Sequence, residues 1–578
     1  MVLNHRLFYF DYKPLKFQPF MSENTSQKHP EGLFLLFASE MWERFSFYGM
    51  RAILTLYLTK ALLYDKATAS NLYGGYVGLI YMTPLIGGFI ADRYWGNRRS
   101  IISGGILMSI GQFILFGSTF FKATATGTFM LFLGLGLMIV GNGFFKPNIS
   151  SMVGSLYNPS DTRRDAAYTI FYMGINTGAF LGNFISSIFG DTGNPDDFKW
   201  AFLACGIAMA LGSFVFWWGQ NKYLFTWDGK PVGVTPIDTP GVKQVYFWLP
   251  VLLLAALGIM YVDVFVTNVI FPFLILSAIV IAYIVFADKS LTKIEREKIA
   301  VIFIVSFFVI FFWATFEQAP ASLTFFADEQ TDRFIGINTS RWIVLAVLGA
   351  LAYGMFRLLN SLLTIPKAFL MFFFYPIGAV IVATVLYSVV QPTNYIMEQV
   401  PPSLFQNLNS FYVVTCAPLL AVLWGFLGKR NAEPSSLKKM ALGLLLLTFG
   451  YVLIEFAVKD LNPNTRVSML YLIGLYFLHS IGELCLSPIG LSLVNKLSPP
   501  KYVSLMMAVW FLAPAIANKA AGMISALYPE AGKTTNFLGF EIHNLYDFFL
   551  INVGLSGVAS LILFLLSSRL SKMMYGVK

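Results

Sequence analysis

The sequence predicts an all-α integral membrane protein, and two observations support that prediction. Of the 578 residues, 57% are hydrophobic, 17% aromatic and 12% charged, whereas a soluble globular chain has roughly 45–50% apolar and about 25% charged residues. The apolar runs are also long and continuous, whereas a membrane β-barrel would alternate polar and apolar residues in strands of roughly ten residues. The composition therefore excludes an ordinary soluble protein, and the continuous runs favour helices over a barrel.

Sixteen apolar segments are long enough to cross a bilayer, for which about 20 residues suffice. They are predicted at 33–62, 71–91, 98–121, 127–146, 167–190, 199–218, 244–262, 265–287, 299–327, 343–362, 368–390, 403–427, 437–458, 467–495, 503–528 and 545–568. A polar stretch at 219–243, rich in Gly, Pro and Thr, follows the sixth span and is typical of a linker. The linker indicates two helical bundles, and in such pairs the substrate path runs between the bundles near the membrane midplane.

The loop cations predict the orientation of the spans. If the N-terminus lies inside, most loop Lys and Arg residues, such as Arg98, Arg163 and Lys293, fall on the inner side, and few, such as Lys66, fall outside. This is the positive-inside pattern, and it places both termini in the cytoplasm. The net charge of +10 therefore reflects orientation and does not indicate a nucleic-acid partner. The first 20 residues lack a signal-peptide cleavage site, and Met21 is expected to be the native start.

Ionisable residues inside the first span are the strongest functional signal, because buried charge is costly and rarely without a role. Glu40, Glu43, Arg44 and Arg51 are spaced so that all four lie on one face of a helix. At a rise of about 1.5 Å per residue, this polar stripe extends roughly 16 Å. It must line a wet cavity or meet partner charges.

Four further charges lie deep in other spans: Lys146, Glu317, Glu483 and Lys519. With the first span, this makes four acids and four bases, so we expect them to pair, in part across the two bundles. A buried pair contributes modest net stability but is suited to a switch. For Lys519 an equal alternative is that it snorkels to the membrane surface. His479 precedes Glu483 by one helical turn, which allows a proton relay, but a hydrogen-bonded buried histidine is the favoured interpretation.

Several motifs resemble those of one transporter family. GGFIADRYWGNRRS (87–100) resembles the cytoplasmic loop motif of the major facilitator superfamily. EMWERFSFYGMR (40–51) resembles the ExxER first-helix signature of the proton-dependent oligopeptide transporter (POT) family, and IFYMGINTGAF (170–180) resembles its fifth-span signature. GNGFFKPNIS, FFWATFEQAP and GELCLSPIG are similar to its spans 4, 7 and 10. By these motifs the chain is identified as a member of that family.

The resemblance implies a major facilitator fold of two six-helix bundles with an extra helix pair between them. The segments are then a cytoplasmic tail at 1–32, the first bundle at 33–218, the linker and extra pair at 219–298, the second bundle at 299–570 and a tail at 571–578. The spans at 343–362 and 368–390 form an additional hydrophobic hairpin, inserted at about 330–398 after core helix 7. The family pattern lacks this hairpin, and a peripheral packing element is the expectation.

The resemblance also implies roles for individual residues. Proton coupling falls to Glu40, Glu43, Arg44 and Glu317. The gating ion pairs are Arg51 with Glu317 on the outer side and Lys146 with Glu483 on the inner side. The substrate-binding residues are Arg51 and Lys146 for the peptide carboxylate, Glu483 for its amino terminus, Asn176 and Asn409 for its backbone, and Tyr48, Tyr81 and Trp510 for the pocket walls. Departures from the family pattern at Phe47, Ser410, Ala513 and Pro514 affect the expected substrate preference.

The implied function is symport of protons with di- and tripeptides by alternating access, in the bacterial inner membrane. We expect a monomer in the lipid bilayer, without a metal or a cofactor other than the coupling proton and without nucleic acid. The nearest alternative keeps the fold but carries another small substrate: a peptide-like drug, a modified amino acid or a small anion. A membrane enzyme is disfavoured because HExxH, GxSxG and nucleotide-binding motifs are lacking. A channel or receptor is disfavoured because bridging charge pairs suit a gated carrier.

Overall fold

The computed structural model describes residues 28–158, 161, 163–235, 242–339, 367–369, 371–372, 395–459, 465–530 and 532–577. The first group of helices comprises α1 Glu31–Leu56, α2 Lys66–Met82, α3 Pro84–Ile90, α4 Gly96–Ser118, α5 Ala125–Ser155, α6 Arg163–Gly190 and α7 Phe198–Tyr223. Two π-helical turns, Tyr57–Ala61 and Ala91–Trp95, extend α1 and α3. The predicted extra pair is present as α8 Val242–Phe265 and α9 Ile270–Phe286.

The second group comprises α10 Lys293–Phe316, α11 Ser322–Glu329, α12 Asn407–Lys429, α13 Ser436–Val458, α14 Met469–Leu497, α15 Val503–Ser525 and α16 Leu545–Met573. A helical turn at Lys367–Phe369 and a 3-10 turn at Pro402–Gln406 lie before α12. Among the described residues, ten helical segments are long and apolar enough to cross a membrane. The chain is a multi-pass membrane protein.

We call the end of the molecule at which α1 begins the proximal face and the end at which α1 finishes the distal face. Short β-pairs lie in the distal connections. β1 Thr331–Asp332 pairs in parallel with β4 Val467–Ser468, β2 Phe334–Thr339 pairs with β3 Tyr395–Gln399, and β5 Thr535–Phe537 pairs with β6 Phe540–Ile542. The β2–β3 ribbon brings Thr339 opposite Tyr395, so the two ends of the predicted insertion meet at one place.

Among the described residues, the hydrophobic core consists of two clusters, one in each bundle. One buried cluster is built mainly from residues of α1–α9, and a second one from α10–α16. The bundles meet closely where α2 crosses α15, because both helices have glycine at the crossing. A Cβ atom at Gly74 would lie 2.8 Å from the Cα atom of Gly522, so a larger residue would force the helices apart.

Several span boundaries differ from the prediction, among them those of α2, α5 and α10. The span predicted at 299–327 is interrupted after Phe316, because Pro320 disfavours a helical residue before it. α5 continues through Pro147 to Ser155 instead of ending at 146. α2 begins at Lys66 instead of 71, since the Asp65 side chain accepts a capping hydrogen bond from the Thr68 amide.

The predicted inserted hairpin falls mostly outside the described residues. The span predicted at 343–362 lies wholly outside them, and of the span predicted at 368–390 only 368, 369, 371 and 372 are described. Ala368 and Phe372 are both buried. The Phe372 ring packs against Trp218 and Tyr223 at the proximal end of α7, so this part of the insertion contacts the first bundle.

Candidate functional site

The four ionisable residues of α1 are buried in the first bundle, as their spacing on one helix face predicts. Arg44 lies between two carboxylates, with its Nε atom 2.9 Å from Glu40 and 2.5 Å from Glu43. Glu40, Glu43 and Arg44 each expose 2% or less of their surface. Two acids and one base leave this group one negative charge in excess, which is costly in a desolvated site.

Asn142 of α5 completes this group and was not predicted from the sequence. Its amide donates a hydrogen bond of 3.1 Å to Glu43. Asn142 lies one helical turn before Lys146, so α5 presents an amide and an ammonium group toward α1 in succession. The signal that could have revealed it is its position in the GNGFFKPNIS motif, as a polar residue inside a span. Several polar atoms of the group lack a hydrogen-bond partner among the described residues, including Glu40 Oε2 and Arg44 Nη2.

Arg51 lies two turns further along α1 and crosses to the second bundle. Its guanidinium forms an ion pair with Glu317, which follows the last turn of α10, and both side chains are buried. Arg51 Nε also donates to the hydroxyl of Tyr73 at 2.5 Å. The predicted Arg51–Glu317 contact is therefore present, and Tyr73 of α2 is an additional partner.

Further polar contacts join the bundles on the distal side of Arg51. Thr55 donates to the carbonyl of Pro320 at 2.6 Å, and Lys60 pairs with Asp328 at 2.7 Å. Asp191, at the distal end of α6, accepts hydrogen bonds from the amide and the hydroxyl of Ser403 at 3.0 and 2.8 Å. Together with the glycine crossing of α2 and α15, these contacts close the distal half of the interface.

Lys146 and Glu483 differ from the predicted arrangement, because among the described residues no ion pair joins them. Lys146 Nζ instead lies 4.6 Å from the centroid of the Tyr81 ring, a cation–π contact. Glu483 accepts a hydrogen bond of 2.9 Å from Asn409, which also donates to Ser480. Both charged side chains are half-buried, so their charged groups are accessible to a ligand. Pairing of Lys146 with Glu483 requires a different arrangement of the bundles and stays a prediction.

The remaining predicted pocket residues take up varied positions. Tyr48 is half-buried, with the Arg51 guanidinium 5.7 Å from its ring centroid. Asn176 is half-buried, and its amide donates an exposed hydrogen bond to the carbonyl of Tyr172 in its own helix. Trp510 is 6% exposed and packs on Gly490, where an added Cβ would lie 2.1 Å from the indole ring. Trp510 is therefore mainly a packing residue between α14 and α15 in this arrangement.

The sequence left alternative interpretations open for Lys519 and for His479, and the structure shows the environment of each. Lys519 does not snorkel, since it is 0% exposed and pairs at 2.5 Å with Asp263 of α8. The sequence-based count of buried charges omitted Asp263 because it fell between two predicted spans. His479 is buried against Tyr451 and Phe316, and its Nε2 atom has no hydrogen-bond partner among the described residues. This environment is the one expected for a packing histidine.

Comparison with known proteins gives a consistent result. The model of the POT family matches residues 98–352 and 360–539. The chain is 31% identical to the uncharacterized transporter YclF of Bacillus subtilis strain 168 over 557 residues, which are 95% of this chain and 96% of YclF. It is 30% identical to a di-/tripeptide transporter of Lactococcus lactis subsp. cremoris over 574 residues, which are 96% of this chain and 99% of the relative.

Solved structures show the same relationship. A mutant of the peptide transporter POT in complex with alafosfalin superposes with a TM-score of 0.71 at 29% identity. The match covers 96% of this chain and 97% of that one. The two bundles described above therefore form the transporter fold of the major facilitator superfamily.

Proposed function

This chain belongs to the POT family, and we propose that it imports di- and tripeptides together with protons by alternating access. The observation that carries the proposal is the continuous polar line on α1. It begins at the Glu40–Glu43–Arg44 group and ends at the Arg51–Glu317 pair between the bundles. A single helix thus links a buried excess charge to the contact that closes the distal side.

Peptide recognition is supported by opposite charges on opposite bundles. Arg51 and Lys146 of the first bundle suit a peptide carboxylate, and Glu483 of the second bundle suits its ammonium group. Asn409 already hydrogen-bonds Glu483, so it can hold that carboxylate in place or turn to the peptide backbone. Tyr48 and Tyr81 supply aromatic walls that tolerate varied side chains. A site of this kind selects for charged termini and length and is permissive between them.

Proton coupling follows from the excess negative charge beside Arg44. Either a proton on Glu40 or Glu43, or the nearby ammonium group of Lys146, can neutralise it. When a peptide carboxylate engages Lys146, that compensation is lost, and protonation of the group becomes favourable. Binding of peptide and binding of a proton therefore support one another, which is the thermodynamic requirement for symport.

Alternating access is supported by the asymmetry of the inter-bundle contacts. The distal side holds the Arg51–Glu317 and Lys60–Asp328 pairs, whereas Lys146 and Glu483 remain apart. We assign this arrangement to the state in which the distal side is closed. Protonation of Glu317 would release Arg51 and allow the distal side to open, and pairing of Lys146 with Glu483 would then close the proximal side.

The orientation and location are also proposals. We place the proximal face, with Arg98 and Arg163, in the cytoplasm, in agreement with the positive-inside rule. The relatives named above are bacterial, which supports the inner membrane of a bacterium as the location. The protein would act as a monomer, with the proton as its only coupling ion.

Uptake of a labelled dipeptide into proteoliposomes tests the proposal. An inward proton gradient should drive accumulation, and unlabelled tripeptides should compete whereas free amino acids should not. Counterflow without a gradient measures substrate exchange independently of the proton. If no di- or tripeptide is exchanged or competes, while a peptide-like drug or a small anion is exchanged, the fold carries another cargo and the peptide assignment is wrong.

A further inference from the structure

The ion pair between Asp263 and Lys519 connects the accessory helix pair to the second bundle. The Asp263 Oδ2 and Lys519 Nζ atoms are 2.5 Å apart, and the side chains expose 0% and 1% of their surface. The other carboxylate oxygen, Oδ1, accepts hydrogen bonds from the backbone amides of Val269 and Ile270 at 2.9 and 2.8 Å. Asp263 therefore fixes the turn between α8 and α9 while it binds α15.

The accessory pair is at the same time attached to the first bundle. α8 packs on α5, where a Cβ at Gly136 would lie 2.8 Å from the Leu257 side chain. Glycines of α2 lie directly beside the ion pair: a Cβ at Gly75 would be 3.1 Å from Asp263 Oδ2, and one at Gly78 would be 3.5 Å from the Lys519 Cβ atom. The charges thus lie where α2, α8 and α15 meet, on the interface that closes the distal side.

We propose that Asp263 and Lys519 form an additional ion-pair link between the bundles, which acts through the accessory helices to hold the distal side closed. The proposal rests on the proposed alternating-access function. Opening of the distal side requires α15 to leave α2 at the Gly74–Gly522 crossing. Because α8 is packed on α5 and α2, this movement must stretch or break the Asp263–Lys519 pair. Breaking a buried pair exposes both charges to an unfavourable apolar environment, so the pair favours the closed arrangement.

Distances between two spin labels provide the test. Thr126 of the first bundle and Leu538 of the second are exposed residues of the distal face. Both are changed to labelled cysteine in a full-length chain whose three native cysteines are replaced by alanine. Pulsed electron resonance in lipid nanodiscs then gives the fraction of molecules with a long, distal-open distance.

The neutral variants Asp263→Asn and Lys519→Gln should each raise the open fraction at least threefold. The double variant Asp263→Asn with Lys519→Gln leaves no unpaired buried charge and keeps an oxygen acceptor for the Val269 and Ile270 amides. Its open fraction should therefore lie between those of the single variants and the parent chain, which also guards against misfolding of a single variant. Asp228→Asn is the matched control, because it removes an exposed pair with Lys230 far from the interface, and it should leave the distances unchanged.

A third variant, Glu317→Gln, breaks the ion pair with Arg51. It distinguishes failure of the Asp263–Lys519 inference from failure of the proposed alternating-access function. If Glu317→Gln raises the open fraction but neither Asp263→Asn nor Lys519→Gln does, the accessory pair does not hold the distal side and the inference is overturned. If none of the three variants changes the distances, the distal gate itself is wrongly assigned, and the inference fails with it.

Discussion

Arg51 of α1 is ion-paired with Glu317, the residue at which α10 stops being helical ahead of Pro320. This end of α10 matters because it places the Glu317 carboxylate at a helix terminus. From there the carboxylate reaches the other bundle, and its charge is not exposed to lipid. Tyr73 holds the guanidinium from a third helix. The pair is therefore positioned by α1, α2 and α10 together, and movement of any of them changes it.

Replacement of Glu317 by Gln should lower proton-driven accumulation of dipeptide by at least tenfold. The amide keeps the size of the side chain but cannot be ionised, so Arg51 is left buried without a counter-charge. Removal of one partner of a buried pair costs about 3–5 kcal/mol, and even about 1.4 kcal/mol is a tenfold change in an equilibrium constant. Glu541→Gln, at an exposed distal position, is the control. Accumulation at the parent level in Glu317→Gln would show that the pair is not part of the gate.

Replacement of Glu43 by Gln should abolish proton-driven accumulation and spare counterflow. With one carboxylate removed, Glu40 and Arg44 balance each other, and the group no longer requires a proton. Exchange of peptide without net proton movement can continue, because the substrate contacts of Lys146 and Glu483 are unaltered. The two assays on the same proteoliposomes distinguish a coupling defect from a binding defect. A variant that still concentrates peptide under a pH gradient would refute the coupling role of Glu43.

Lys146→Ala should lose proton-driven uptake. Tyr81 should support peptide binding by Lys146 through its aromatic ring rather than through its hydroxyl group. The ammonium group lies over the Tyr81 ring, and such a contact is worth about 0.5–2 kcal/mol. Tyr81→Phe keeps the ring and should retain transport, whereas Tyr81→Leu should weaken apparent peptide affinity by up to about tenfold. Equal KM values for the Phe and Leu variants would exclude the ring contact as a contribution to binding.

The residues of α1 illustrate what the sequence can predict about the site. Charges in an apolar span are rare, so Glu40, Glu43, Arg44 and Arg51 could be placed on one face and assigned a buried environment from spacing alone. The Arg51–Glu317 contact was implied by the family resemblance, whereas the tally of buried charges predicted only that some ion pairs join the two bundles. Such reasoning works where charged residues are few and lie within apolar spans.

Other parts of the site depend on tertiary geometry that spacing does not encode. Asp263 lies at the end of a span and could not be distinguished from a loop acid until α8 was seen to approach Lys519. Trp510 matched a pocket position but is buried against Gly490. The separation of Lys146 from Glu483 depends on the relative position of the bundles, which the spacing of residues along the chain does not specify.

His29 should titrate below its ordinary value and respond in opposite directions to two neighbouring substitutions. Its Nδ1 atom lies 2.8 Å from the Tyr157 hydroxyl, which attaches the segment before α1 to the end of α5. Burial lowers the pKa of His29, the Arg163 cation lowers it further, and Asp161 opposes them. Since the docked state favours the neutral ring, the stabilisation that His29 contributes to docking is complete above about pH 6.5, the ordinary pKa of histidine. That contribution is lost as the pH falls below this value through the lowered pKa of His29.

Histidine NMR of the full chain measures this titration, with the His29→Gln variant to assign the signal. Arg163→Gln should raise the midpoint, and Asp161→Asn should lower it. Midpoints that are the same in both variants as in the parent chain would contradict the assigned environment of His29.

Replacement of residues 340–394 by Asn-Gly should leave peptide transport measurable but reduce thermal stability. The β2–β3 register places Thr339 opposite Tyr395, so a two-residue turn can join the strands, and the helices of both bundles are retained. The loss of stability should come from Phe372, whose ring packs on Trp218 and Tyr223. Truncation of a buried Phe costs about 3–5 kcal/mol, so Phe372→Ala alone should reproduce much of the effect in a thermal unfolding assay. If the shortened chain is correctly inserted and monodisperse but transports no peptide, the insertion takes part in transport and is more than a packing element.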